Sequence, residues 1–140
     1  MHKIIVYIFL VSIFLCSPAL SIASENWLNK ADALIKGDKY SDSKKAIKYL
    51  SKAIKLKPGY AEAYYKRGNA YDDLGQYQWA IEDYNKAINL KPGYAKAYHN
   101  RGVAYLNQGK KKHGCSDAQK ACSLGECKVL EWAKGKRICR

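Results

Sequence analysis

Acidic residues are scarce in this chain: 12 Asp and Glu stand against 25 Lys and Arg, for a net charge of +13. Signatures of catalysis are missing too. No glycine-rich phosphate loop, nucleophile elbow, His-Glu-x-x-His or dinucleotide fingerprint occurs, which removes the enzyme classes that need those residues at those spacings. Cysteine is nearly absent from the first 112 residues, where Cys16 stands alone, and no Cys-x-x-Cys occurs anywhere. That excludes thiol oxidoreductases and c-type haem attachment. The acidic pairs Asp72-Asp73 and Glu82-Asp83 are adjacent in sequence, and neighbours on a helix point in different directions, so they read as solvated surface rather than as a shared-proton dyad. The chain is expected to be non-enzymatic, with no cofactor.

The N-terminus combines a basic start, Met1-His2-Lys3, with an apolar run from Ile4 to Leu15 broken only by Tyr7 and Ser12, and ends in Ser21-Ile22-Ala23. This pattern predicts a signal peptide over residues 1–23 and export to the periplasm or the extracellular space. The alternative is an uncleaved membrane anchor, since Ile4 to Ile22 is nearly long enough to span a bilayer. The residues before Cys16 are bulky, so lipidation is not expected. Cleavage after Ala23 removes Lys3 and leaves 24 Lys and Arg against 12 Asp and Glu, a net of +12. Outside a cell such a charge suits anionic envelope polymers, lipid head groups or acidic proteins rather than nucleic acid.

What is present in abundance is repetition. "KPGYAEAYYKRGNAY" from Lys57 recurs 34 residues later as "KPGYAKAYHNRGVAY", and 15 of the 20 positions from Lys52 to Tyr71 match at that offset. An internal duplication means that each copy is one structural unit. Tyr64, Gly68 and Tyr71 recur as Tyr98, Gly102 and Tyr105, and their spacing puts them on one helical face. A second apolar stripe, Ala80, Tyr84, Ala87 and Ile88, follows Gly75 and stops at Lys91-Pro92-Gly93, where proline cannot continue a helix. The unit is helix, turn, helix.

The pattern Tyr64-x2-Arg67-Gly68-x2-Tyr71, then Ala80-x3-Tyr84, then Pro92 resembles the tetratricopeptide repeat. Arg67 and Arg101 stand where that family prefers leucine. A looser first copy runs Trp27-x3-Ala31-x2-Leu34 on its first helix and then Ala46-x3-Leu50, Ala53 and Pro58 on its second, with about three extra loop residues in "GDKYSDSKK". The resemblance implies an all-α fold: a short right-handed solenoid of about three helix-turn-helix repeats over 24–124 (25–58, 59–92 and 93–124), then a capping helix within 125–140. Three repeats are about the minimum that bury one another's faces. Val129, Leu130 and Trp132 are the residues available to cover the open end.

Four cysteines lie late in the chain as Cys115-x6-Cys122-x4-Cys127-x11-Cys139. The spacing lacks the close pairs of structural zinc sites, so no metal is expected, and an exported chain uses an even set of this kind for disulfides. In the repeat register Cys115 and Cys122 replace Ile81 and Ile88 on the second helix of the third copy. Seven residues of helix rise about 10 Å, too far for a bond between those two. An antiparallel cap would pair Cys122 with Cys127 and Cys115 with Cys139.

The same resemblance implies a concave groove lined by the first helices of the pairs. It offers Glu62, Tyr65, Asn69, Asp72 and Asp73 from the middle copy, and Lys96, His99, Asn100, Val103, Leu106 and Asn107 from the third. Asn69 and Asn100 fall where some members hold a chaperone's C-terminal carboxylate, but Tyr65 replaces the first lysine of that clamp, so carboxylate capture is not expected. The function implied is an adaptor of a bacterial periplasm or envelope that binds a protein or peptide segment. The alternative is a cationic protein that attaches to anionic polymer or lipid through lysine-rich faces.

Overall fold

The computed structural model describes residues 18–139. Within them the chain forms α1 (Pro18–Asp32), β1 (Ile35–Lys36), β2 (Lys39–Tyr40), α2 (Ser43–Leu56), α3 (Ala61–Asp73), α4 (Tyr77–Leu90), α5 (Ala95–Asn107), α6 (Lys111–Ser123) and α7 (Lys128–Gly135). Most of the expected signal peptide lies outside the described residues, and the boundary after Ala23 falls inside α1.

Each helix packs on the next, so three pairs, α1 with α2, α3 with α4 and α5 with α6, stack in sequence order and α7 closes the far end. The all-α solenoid with a terminal helix is therefore the fold. Short turns make consecutive helices antiparallel. Gly75 and Gly109, one period apart, take φ of 69° and 74° just past the ends of α3 and α5. A side chain there would be strained, and glycine adopts that conformation freely. Asp42 caps α2 by accepting from the Lys45 amide at 2.9 Å.

The core is built from small residues repeated at the period. Ala46 and Ala80, Ala53, Ala87 and Ala121, Ala63 and Ala97, and Ala70 and Ala104 are all fully buried. Alanine at these sites lets helix backbones come close, and the large buried side chains Leu50 and Tyr84 fill what remains. Gly68 answers the same need. A β-carbon there would lie 2.6 Å from the Tyr84 ring.

The structure departs from the sequence reading at three places. Leu34 lies beyond the end of α1 rather than on it, because the chain turns at Ala33 and the Leu34 carbonyl accepts the Ser41 amide at 2.8 Å. The extra residues that follow are an antiparallel hairpin, with Ile35 opposite Tyr40, turning at Gly37. The cap buries Val129, Ala133 and Cys139, while Trp132 stays 53% exposed. The inward face of α7 follows the i, i+4 pair Val129 and Ala133, and Trp132 lies about 100° away from Ala133 around the helix.

Cys115 is bonded to Cys139 and Cys122 to Cys127, with Cα separations of 5.5 Å and 3.9 Å. The longer link fastens the end of the chain to the start of α6, and the shorter one closes the turn that carries Glu126.

Candidate functional site

α3 touches α5 and α5 touches α7, so the first helices of successive pairs share one face. A pocket of about 590 Å³ opens there. α3 contributes Tyr65, Asn69, Asp72 and Asp73, and α5 contributes Lys96, His99, Asn100 and Val103. The structure thus brings together eight of the eleven residues that the repeat register offered for the groove. It leaves out Glu62, which pairs with Lys66 at 3.5 Å, Leu106, which packs against Gly114, and Asn107, which is exposed at the end of α5.

Three further segments line the same pocket: Asp38 and Lys39 from the hairpin, Tyr84 from α4, and Glu126 with Lys128 from the turn into α7. Sequence reasoning missed these. Tyr84 read only as packing, although its hydroxyl reaches the floor of the groove. For the hairpin, the three-residue excess over the repeat was the available signal. Nothing local in the sequence assigned Glu126 or Lys128 to the groove.

The floor is one polar network. The Tyr84 hydroxyl donates to Asn69 Oδ1 at 2.9 Å, and Asn100 Nδ2 donates to the same oxygen at 2.8 Å and to the Tyr65 hydroxyl at 3.2 Å. These bonds lock the Asn69 carbonyl and leave its amide hydrogens toward the pocket for a partner's acceptors. Burial, then the charges of Asp72 and its neighbours, pushes the Tyr84 phenol far up, so Tyr84 remains a donor.

One wall is acidic. Asp73 Oδ2 accepts the Tyr40 amide at 2.9 Å, which pins the hairpin against α3. Asp72 Oδ1 is buried without a hydrogen-bond partner. Burial and the neighbouring Asp73 push the Asp72 carboxyl up to about 6, with Lys39 opposing. Opposite, burial lowers the His99 imidazole despite Glu126, whose Oε1 lies 3.7 Å from His99 Nδ1.

An acid whose folded pKa is raised stabilises the fold least where it is ionised. Asp72 therefore costs nothing below about pH 4 and costs most above pH 6. Asp72→Asn is expected to raise stability by about 1 kcal/mol at pH 7.5, after discounting for partial solvent exposure. The gain shrinks toward zero near pH 4, and thermal melts of both proteins at the two pH values check it. A costly carboxylate kept in a pocket is a mark of a functional site.

Of the acidic pairs read as solvated surface, Glu82 is exposed, Asp72 and Asp73 are half-buried, and Asp83 is buried. Asp83 is 5% exposed and accepts from Arg67 Nε and an Arg67 terminal nitrogen at 2.7 and 2.8 Å. The arrangement recurs between Arg101 and Asp117 at 2.7 Å for both bonds. A third bond ties Arg67 to Ser51 at 3.0 Å, and its counterpart ties Arg101 to Asn85 at 2.7 Å. The i, i+16 pairing of Arg and Asp in both copies was visible in the sequence as a signal, and it places these charges inside the stack rather than in the groove.

Stacked helix pairs with a polar groove along their inner helices define a helical-repeat solenoid. Residues 32–75 and 68–109 match the model described as TPR repeat, and residues 95–124 match the one described as tetratricopeptide repeat. The chain belongs to the tetratricopeptide repeat family. Among solved structures it is similar to the Arabidopsis OM64 TPR domain, at 31% identity and a TM-score of 0.78, covering 85% of this chain and 96% of that one. It is also similar to MamA, at 34% identity and a TM-score of 0.68, covering 79% of this chain and 63% of MamA. The first TPR of Spaghetti (RPAP3), bound to the HSP90 peptide SRMEEVD, shares the fold at 23% identity with a TM-score of 0.72, over 82% of this chain and 95% of that one. No curated protein sequence matches the chain.

Proposed function

We propose that the protein is a non-enzymatic interaction module of the bacterial periplasm or envelope, and that it holds an extended peptide or protein segment in the groove. The observation that carries this reading is the Tyr84, Asn69, Asn100 and Tyr65 network at the floor of an open 590 Å³ pocket. Prearranged amide groups suit a partner's backbone, and the pocket is wide enough for several residues. The RPAP3 domain, alike in fold, holds an HSP90 peptide in its own structure. Export is supported by the two disulfides, which persist in oxidising compartments. Among the described residues no helix is long and apolar enough to cross a membrane.

The test is recovery of partners from a native envelope extract by the purified chain and by a variant with Tyr65→Ala, Asn69→Ala and Asn100→Ala, its helicity checked by circular dichroism. Loss of the recovered partner with retained helicity is the expected result. Unchanged recovery would remove the groove as the binding surface.

A second reading has its own observation. α2 carries Lys44, Lys45, Lys48, Lys52 and Lys55, all exposed, and no acidic residue. Such a face favours anionic polymer or lipid. Sedimentation of the triple variant with anionic vesicles, fading as salt rises, would support attachment through this face.

A further inference from the structure

The acids of this chain are unevenly spent. Asp83 and Asp117 are consumed by Arg67 and Arg101, and Asp32 is held by Lys66 at 2.8 Å. Of the 12 acids in the sequence, four line the 590 Å³ pocket, Asp38, Asp72, Asp73 and Glu126, beside three lysines, Lys39, Lys96 and Lys128, of which only Lys39 comes from the hairpin. Three of these, Asp38, Asp72 and Asp73, come from the hairpin and from the end of α3 that the Tyr40 to Asp73 bond joins to it. The Tyr65 ring lines the same pocket from α3.

This inference rests on the groove reading above and deepens it. We infer that the hairpin end of the groove is a pocket for a basic side chain, so that the peptide partner carries a lysine or arginine whose stem lies along Tyr65 and whose cationic head meets Asp72 and Asp73.

Three features converge on a cation. Asp72 Oδ1 is buried without a hydrogen-bond donor, and Asp73 has given only one of its oxygens to the protein. Desolvated carboxylates short of donors gain most from a group that supplies both charge and N–H bonds. Tyr65 lines the same pocket two turns along α3, where its ring can cover the methylene stem of such a side chain. The hairpin is also an insertion within the repeats that the 34-residue period does not provide. Without it, Asp38 would be absent from the wall and Asp73 would lose its bond from the Tyr40 amide. The hairpin is therefore the specificity element of the groove.

The chain as a whole is charged +13, so its long-range field favours acidic peptides. A preference for a basic residue must then arise from local contact, which makes it diagnostic. The probes are three peptides, acetyl-Gly-Ala-Xaa-Ala-Gly-amide with Xaa as lysine, norleucine or glutamate. They are titrated into the disulfide-bonded protein at 0.15 M salt, with the backbone amide of Tyr40 and the side-chain amides of Asn69 and Asn100 followed by NMR. The lysine peptide is expected to bind about tenfold more tightly than the norleucine peptide, the worth of one charged hydrogen bond. Asp72→Asn, which the stability argument expects to fold at least as well as the parent, brings that ratio to about one. Equal shifts from all three peptides, or tighter binding of the glutamate peptide, would overturn the basic-residue pocket while leaving groove binding intact. Absence of any shift at Asn69 and Asn100 with all three would overturn both.

Discussion

Replacing Asp83 with alanine is expected to cost about 2–3 kcal/mol of folding stability, the penalty for leaving a partly buried guanidinium without its carboxylate. Arg67 packs between α3 and α4, and only Ser51 would remain to bond it. Burial pushes the Asp83 carboxyl up, and the two bonds from Arg67 oppose that push. Each charge is tolerable only because of the other. The double variant Arg67→Leu, Asp83→Leu is expected to recover most of the loss, since an apolar pair of similar volume avoids desolvating two ions. Urea unfolding of the parent, the single variant and the double variant measures this directly. A single variant as stable as the parent would mean that water reaches the pair. Because the pair lies away from the groove, the double variant is expected to keep the floor network of Asn69 and Asn100.

The second large effect concerns the cap. Converting both Cys115 and Cys139 to alanine is expected to destabilise the protein by about 3 kcal/mol, the chain-entropy value for a closed loop of this size. The link spans 24 residues, from the second turn of α6 to the last described residue. α7 has only eight residues and buries only Val129 and Ala133, too little to hold a short helix in place unaided. Hydrogen exchange is expected to find α7 unprotected in the variant while α3 to α5 keep their protection, because contacts in a solenoid pass only between neighbours. A loss below about 0.5 kcal/mol would show that apolar contact alone fastens the cap. The same comparison bears on compartment. A chain that needs this bond for its last helix would lose that helix where thiols are kept reduced.

Much of the architecture was legible before folding. The 34-residue offset determined the number of helix pairs, their order and their turns. The alanine and glycine positions determined which faces meet, since nearest-neighbour packing leaves few other ways to bury a stripe of small residues. The register then indicated which α3 and α5 residues share the inner face, because residues at equivalent positions of stacked repeats must line up.

Tertiary structure decided the rest, and the reason is the same in each case. A local pattern reports which face of a helix is apolar, but not what a distant segment brings to it. The hairpin reaches Asp73 across 33 residues of sequence, so its place as a groove wall follows from how β2 packs against α3 and α2 and not from "GDKYSDSKK" itself. Asp83 looked like surface because its neighbour Glu82 is exposed and both are acidic. It is buried because Arg67 arrives from the preceding helix. Trp132 looked like a core residue by hydrophobicity, yet Val129 and Ala133 take the inward face, and one helical step turns the indole toward solvent. Sequence determined the repeat and its inner face, while the pairing of charges between helices and the far walls of the groove were decided only when the stack brought non-adjacent segments together.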